Sequence, residues 1–256
     1  MSVEQLKTFE FSTQTENILR NPPQLILVFD KWRKGNSMLE IATMRTRAAI
    51  AAHIYHSDLY PTDEIRPTIC CFAGKHTADS VPGSTRVALL LYQYDIPSSK
   101  IYTKENTFST TTDLMQLQAT IQAQRAESSI IVTTDDDVRR TKMAVNNHFA
   151  RRGRNRKQYQ IEVVGPSADI VNKICMSRDI DTQTRQSIRD AILLGKSDYL
   201  NGGVGETLAT ILAAIPLRLL RKRIQGCAEA RTHKYTPPDL ARIRFKAKRM
   251  WQSAKK

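Results

Sequence analysis

The chain has 256 residues, of which 41% are hydrophobic and 25% charged. This composition is typical of a folded globular protein and excludes a disordered or collagen-like chain. The net charge of +14 suits an acidic partner such as nucleic acid, an anionic lipid surface or a phosphorylated ligand. The first residues contain no apolar signal segment, and the longest apolar stretch, residues 207–220, is shorter than the roughly 20 residues of a membrane-spanning helix. We therefore expect a cytoplasmic protein with no transmembrane segment.

Five short runs rich in β-branched or aromatic residues predict buried β-strands. They cover residues 24–29, 68–72, 100–103, 129–133 and 160–164. Between them, apolar residues recur at spacings of three and four, which predicts helices. These residues are Met44, Ala48, Ala51 and Tyr55; Val87, Leu90, Leu91 and Tyr94; Leu114, Leu117 and Ile121; and Val138, Met143, Val145 and Phe149. The alternation of strands and helices predicts an α/β fold with a doubly wound parallel sheet of about five strands.

The strand pattern stops after residue 165, and helical patterns follow at 167–194, 204–225 and 238–253. We therefore expect an α/β core over residues 1–165 and a helical extension over residues 166–256. The end of this extension is a basic tail, since residues 217–256 hold 13 Lys and Arg against two acidic residues and carry +11 of the net charge. The tail predicts nonspecific binding to nucleic acid or another acidic surface.

Ligands of open parallel sheets bind at the carboxyl ends of the strands, so the residues that follow each predicted strand form the candidate site. These residues are Asp30 after the first strand; Gly74 after the second; Glu105, Thr111 and Asp113 after the third; and Thr133, Thr134, Asp137 and Arg140 after the fourth.

Two of these segments have a simpler structural explanation. The segment from Ser109 to Asp113 could bind an anion at the start of a helix, or Ser109 could serve as the N-cap of that helix. The carboxylates from Asp135 to Asp137 could bind a divalent cation, but capping of the next helix and pairing with an arginine is the interpretation we favour. His53 and His56 lack a third ligand and the cysteines form no C-x-x-C pair, so we predict no metal site.

Several familiar motifs are absent. The sequence contains no phosphate-binding Walker loop, no G-x-S-x-G nucleophile elbow and no H-E-x-x-H zinc motif. The glycines of a dinucleotide fingerprint are missing after the first strand, where Phe29 and Asp30 are followed by Lys31 and Trp32. The sequence therefore argues against a standard NAD-dependent enzyme.

Four motifs occur in a fixed order: the helix from Met44 to Tyr55 with its arginines, the turn Phe72-Ala73-Gly74, Glu105 with Thr111 and Asp113, and the segment from Val132 to Thr141. In this order they resemble the domain-of-unknown-function family that includes the SanA, ElyC and YdcF proteins. Arg140 matches the family's arginine, and Asp137 stands where the family has a histidine. The resemblance implies a Rossmann-like fold with a ligand pocket, and S-adenosylmethionine as a candidate ligand of the soluble members.

The leading hypothesis is a protein that binds a nucleotide-like or phosphorylated small ligand at the carboxyl edge of its sheet. Glu105 would accept hydrogen bonds from a ribose or an amine, Thr111 would hold an anion, and Arg140 would add a charge-assisted hydrogen bond. If the protein is an enzyme, Glu105 and Asp137 are the candidate acids or bases. The alternative is a nucleic-acid-binding or scaffold protein that acts through the basic tail.

This hypothesis makes a geometric prediction. The third and fourth predicted strands are taken as neighbours in the sheet, so the residues that follow them should lie close together. We expect one cleft to contain Glu105, Thr111, Asp113, Thr134 and Arg140.

Overall fold

A computed structural model describes residues 16, 18–30, 37–75, 81–107, 109–149 and 159–197 of the chain. The strands are β1 (Leu25–Phe29), β2 (Thr68–Phe72), β3 (Ile101–Lys104), β4 (Ser128–Val132) and β5 (Gln160–Val164). The helices are α1 (Ser37–Tyr55), α2 (Gly83–Tyr92), α3 (Thr110–Gln124), α4 (Asp135–Phe149), α5 (Asp169–Lys173) and α6 (Thr182–Ser197). Single 3-10 turns occur at Asp63–Ile65 and Ser98–Lys100. Within these residues no helix combines the length and apolarity that crossing a membrane requires.

The five strands form one parallel sheet in the order β3-β2-β1-β4-β5. Leu27 in the central strand β1 lies opposite Cys70 of β2 on one side and Ile131 of β4 on the other. The order of the strands reverses between β1 and β4, which are neighbours in space but not in sequence. The predicted doubly wound parallel sheet of the Rossmann-like type is therefore confirmed.

Helices cover both faces of the sheet, which explains why β1 is apolar at every position and fully buried. Leu25, Leu27 and Phe29 point to the core shared with α3 and α4. Ile26 and Val28 point to the opposite core, which α1, α2 and α6 complete. Alternation along a strand assigns consecutive side chains to opposite faces, so a five-residue apolar run supplies both cores.

The first part of the helical extension packs against α1. Thr46 Oγ1 donates a hydrogen bond to the Ala191 carbonyl of α6 at 3.1 Å. Gly195 permits this close approach, because a Cβ atom there would lie 2.2 Å from the Thr46 methyl carbon.

The expectation of one helix over residues 167–194 is wrong, because α5 and α6 are separated by an irregular segment. Ser177 N–H in this segment donates to the His56 carbonyl at 2.7 Å, which ties it to the end of α1. Asp181 then starts α6 by accepting hydrogen bonds from the N–H groups of Gln183 and Thr184 at 2.8 and 2.9 Å. Two further predicted helices, at 204–225 and 238–253, lie outside the described residues, as does the basic tail. They stay predictions.

Candidate functional site

The strand order reverses between β1 and β4, and open sheets of this type form a crevice at the carboxyl ends of such strands. β1 leads to α1 on one face of the sheet, and β4 leads to α4 on the other, so the two chain segments diverge above the strand ends. This switch point is where open α/β sheets bind their ligands. Two of the residues predicted for the site, Asp30 and Thr133, directly follow these strands.

A buried arginine lies across this point. Arg47 of α1 is 1% exposed, and its Nη1 donates to the carbonyls of Phe29 at 2.9 Å and Asp30 at 3.3 Å. Its Nη2 donates to Thr134 Oγ1 at 2.9 Å and to Asp137 Oδ2 at 2.7 Å. Arg47 therefore connects a helix on one face of the sheet, over the end of the central strand, to α4 on the other face. A guanidinium can be buried here because carbonyls and a carboxylate pair with it.

Asp137 is shared between two arginines. Its Oδ2 accepts a hydrogen bond from Arg47 Nη2 at 2.7 Å, and its Oδ1 accepts one from Arg140 Nη2 at 2.6 Å. The Asp137 side chain is 2% exposed, whereas that of Arg140 is 26% exposed. Both carboxylate oxygens thus face arginines, an arrangement that favours positioning over the acid–base role predicted from the sequence. Arg140 is the member of this cluster that reaches solvent.

Thr133 and Thr134 come between β4 and α4 and have different surroundings. The Thr134 hydroxyl belongs to the arginine–carboxylate cluster, 3.5 Å from Asp137 Oδ2. Thr133 is fully buried, its N–H donates to the Val164 carbonyl at 2.9 Å, and its hydroxyl has no hydrogen-bond partner among the described residues. Thr134 is also buried, at 3% exposure, so contact of a ligand with either threonine hydroxyl would require the segment to move.

A second charged cluster lies beside the first, at the start of α2. Arg86 pairs with Glu40 of α1 and lies 3.4 Å from Asp30 Oδ2. The Asp30 carboxylate packs against Gly83, where a Cβ atom would lie 1.9 Å from Oδ2, so a glycine is required. A negative charge at this helix start is favourable, particularly since Pro82 provides no side-chain cap. Asp30, predicted to bind a ligand, therefore also holds α2 in place.

The Ala73-Gly74 turn after β2 is held by its backbone groups. Gly74 N–H donates to the Thr107 carbonyl at 2.7 Å, and the Gly74 carbonyl accepts from Gly83 N–H at 3.1 Å. Ser84 N–H donates to the Ala73 carbonyl at 3.2 Å. The turn thus joins the end of β2 to the loop after β3 and to the start of α2.

Glu105 lies away from the switch point. It is exposed, and it accepts a hydrogen bond from Thr85 Oγ1 of α2 at 3.4 Å. The assumption that β3 and β4 are neighbours is wrong, because β2 and β1 lie between them. Three spacings of about 4.8 Å separate the two strands by about 14 Å. Of the residues expected to share one cleft, the structure joins Thr134 and Arg140 through Asp137 and places Glu105 at α2.

The start of α3 is capped by its own side chains. Ser109 Oγ accepts from Thr112 N–H at 3.2 Å, and Thr112 Oγ1 accepts from Ser109 N–H at 3.0 Å. This reciprocal pair is a capping box, which confirms the N-cap explanation of the segment. Asp113 is buried in the first turn of α3, and Thr111 is half-buried. Binding of an anion by Thr111 stays a prediction.

Asp135 has a structural role at the first position of α4. It accepts hydrogen bonds from Ser167 Oγ at 2.6 Å and from Ser167 N–H at 3.3 Å. A Cβ atom at Gly165 would lie 2.3 Å from Asp135 Oδ1, so this carboxylate and the end of β5 are in close contact. In the described part of the chain, no three His, Cys, Asp or Glu side chains are placed to hold a metal ion.

A cleft of about 550 Å³ lies at the opposite, amino edge of the sheet, beside the end of α1. It is lined by Tyr55, His56, Asp63, Arg66, Asp95, Pro97, Asp179, Ile180 and Asp181. The acidic side chains of this cleft have local partners. Asp63 pairs with Arg66 at 3.0 Å, Asp95 accepts from Thr184 at 2.9 Å, and Asp181 caps α6. These three carboxylates therefore stabilise the surrounding loops, which explains their presence without a ligand.

His56 at this edge is held as the neutral imidazole. Its Nε2 lies 2.7 Å from the Tyr94 carbonyl, which can only accept, so this nitrogen carries the proton. Its Nδ1 accepts from Arg66 Nη1 at 3.2 Å. Burial lowers the pKa of His56, which directly follows α1, and burial likewise lowers the pKa of His53 in the last turn of α1.

These two histidines predict a loss of stability in mild acid. Because their pKa values in the folded state lie below the unfolded value of 6.5, the unfolded chain takes up protons first. Their contribution to the free energy of unfolding is complete above pH 6.5 and is lost as the pH falls through the folded-state values. Urea unfolding at pH 7.5 and at pH 5.0 measures this loss, and a His53→Gln/His56→Gln variant should show a smaller difference between the two conditions. An equal difference in the variant would assign the pH dependence to other groups.

Comparison of the chain with protein-family models, with curated proteins and with solved structures gives no match. The family resemblance drawn from the four sequence motifs therefore stays an expectation. Three residues of the charged clusters were not predicted from the sequence as site residues: Arg47, Arg86 and Glu40.

Proposed function

We propose that the protein binds a nucleotide-like or phosphorylated small molecule above the crevice between β1 and β4, with S-adenosylmethionine as one candidate. The observation that carries this proposal is the Arg47–Asp137–Arg140 cluster at the switch point of the sheet. The cluster has two positive charges and one negative charge, and its partly exposed member is a guanidinium. This arrangement suits an anionic group, which a guanidinium binds through short charge-assisted hydrogen bonds.

Stability alone is a poor explanation for this cluster. A buried ion pair is often no more stabilising than apolar residues of similar size, because the desolvation of the charges offsets their attraction. Three charged side chains nevertheless meet at the one place in the sheet where ligands are expected. Their position therefore favours a role in binding.

The cluster also suggests how the ligand lies. Arg47 and Asp137 are nearly inaccessible and close the space directly above β1. The ligand would rest on this floor, with its anionic group at Arg140 and with Thr134 nearby. Glu105 lies at the α2 side of the same edge, away from this ligand position, so it is not assigned a role in binding at Arg140.

A thermal-shift screen tests this proposal. The probes are ADP, inorganic pyrophosphate and S-adenosylmethionine, each added to the full chain at increasing concentration. A ligand present at 100 times its Kd adds about 2.7 kcal/mol to the stability, so a true ligand gives a concentration-dependent rise in Tm. If none of the three changes the Tm at millimolar concentration, the proposed ligand class is wrong.

We expect Arg140→Gln to weaken binding of the active probe by about 10- to 100-fold, since a hydrogen bond to a charged group contributes about 1.5–3 kcal/mol. Arg139→Gln is the matched control, because it removes the same charge from the exposed neighbouring position on α4. Isothermal titration calorimetry on both variants gives the two Kd values. Equal weakening by both variants would indicate a general charge effect in place of a contact with Arg140.

A further inference from the structure

We infer that Asp137 is a positioning residue, which holds the Arg140 guanidinium in the orientation that binds the ligand, and that Arg47 fixes Asp137 in turn. This inference rests on the proposed function and explains how that site is organised. Asp137, predicted from the sequence as an acid or base, is assigned a positioning role. Arg47, which was not predicted as a site residue, is assigned the role of holding Asp137.

The contact between Asp137 and Arg140 is local and short. The two residues are three positions apart on α4, and Asp137 Oδ1 lies 2.6 Å from Arg140 Nη2. Side chains three positions apart lie on the same side of a helix, so this pair needs no rearrangement of the backbone. The contact uses a terminal nitrogen of Arg140 and therefore restricts the direction of the whole planar group.

The contact between Asp137 and Arg47 anchors this arrangement to the sheet. Arg47 Nη2 lies 2.7 Å from Asp137 Oδ2, while Nη1 donates to the carbonyls of Phe29 and Asp30 at the end of β1. β1 is the central strand, buried at all five positions. The orientation of Arg140 is thus set by a series of contacts that begins at the buried central strand of the sheet, and precise binding sites are built on such regular elements.

This arrangement has a consequence for affinity. An arginine that is free to rotate loses side-chain entropy when a ligand binds it, and an arginine that is already held loses less. Asp137 also offsets the repulsion between the guanidiniums of Arg47 and Arg140, which both pair with it. Removal of Asp137 should therefore weaken ligand binding even though the ligand makes no contact with this residue.

Two variants separate positioning from stability. Asp137→Asn keeps the shape of the side chain and removes its charge. The double variant Arg47→Met/Asp137→Leu replaces the buried pair by apolar groups of similar size, so neither charge of the pair is left buried without its partner. Asp136→Asn is the control, because it removes the same charge from the preceding position of α4.

The first measurement needs no ligand. Nitrogen-15 relaxation of the Arg140 Nε–H group reports its motion on the picosecond to nanosecond timescale. We expect a restricted Nε–H group in the wild type and in Asp136→Asn, and a mobile one in Asp137→Asn and in the double variant. An Arg140 side chain that stays equally restricted in a folded double variant would overturn the inference.

The second measurement is calorimetric titration with the probe that raises the Tm of the wild type. We expect the affinity to fall by about tenfold in Asp137→Asn and in the folded double variant, which corresponds to the loss of part of one charge-assisted hydrogen bond. Unchanged affinity in both variants overturns the positioning role and leaves the proposed function intact. Failure of the wild type to bind any of the three probes overturns the proposed function and this inference with it.

Discussion

Replacing Arg47 by methionine is expected to lower the free energy of unfolding by about 3–5 kcal/mol, because breaking a buried ion pair leaves the remaining buried charge with too little compensation. The Asp137 carboxylate, 2% exposed, would keep Arg140 but lose its buried cation. The carbonyls of Phe29 and Asp30 would lose a donor at the same time. Methionine keeps much of the volume of arginine, so the effect would arise from the lost charge and hydrogen bonds and not from a large cavity.

The matched control for this variant is Arg45→Met. Arg45 lies two positions earlier on α1 and is exposed, so the same substitution removes the same charge without disturbing a buried contact. We expect it to change the stability by no more than about 0.5 kcal/mol. Urea denaturation of both variants at pH 7.5 measures the difference. Similar stabilities for the two variants would show that the Arg47–Asp137 pair contributes little to the fold.

The sequence contains enough information to predict the sheet, because the three inner strands are mostly apolar runs that supply both cores. The expectation of burial is wrong for the edge strand β3, in which no position is buried. The prediction for β5 is correct at both ends, and that for β4 is shifted by one residue. β3 begins at Ile101 and not at Lys100, because Ser98–Lys100 forms a 3-10 turn after Pro97. These one-residue differences depend on backbone hydrogen bonds at the strand ends, and the pattern of side chains does not report those hydrogen bonds.

The order of the strands could not be predicted in the same way. The inner strands β1, β2 and β4 are mostly buried and have similar apolar patterns, so the pattern does not show which strand lies beside which. β3 is followed by α3, which leads the chain past β2 and β1 to β4 on the far side. The expected proximity of Glu105 and Arg140 depended on this order. By contrast, Asp137 and Arg140 are close on one helix, and this pairing follows from their spacing alone.

The position of Arg47 in the sequence indicates a buried and paired arginine. Arg47 lies three positions after Met44 and four before Ala51, so it falls on the apolar stripe that α1 buries. A charged side chain on a buried stripe must be paired, because arginine is almost never fully buried otherwise. The partner could not be named from the sequence, since Asp137 lies 90 positions away in the chain.

Phe72→Ala is expected to lower the free energy of unfolding by about 3–5 kcal/mol, the usual cost of deleting a buried aromatic ring. Phe72 ends β2 with 1% exposure, and its ring packs edge-on against Tyr102 at a centroid distance of 6.0 Å. Phe72→Leu is the control, because it retains an apolar side chain and should cost less than Phe72→Ala. Because Phe72 directly precedes the Ala73-Gly74 turn, the cavity would lie beneath one side of the candidate site. Urea denaturation gives both values, and an equal loss for alanine and leucine would show that the aromatic contact with Tyr102, and not the filled volume, determines the stability at this position.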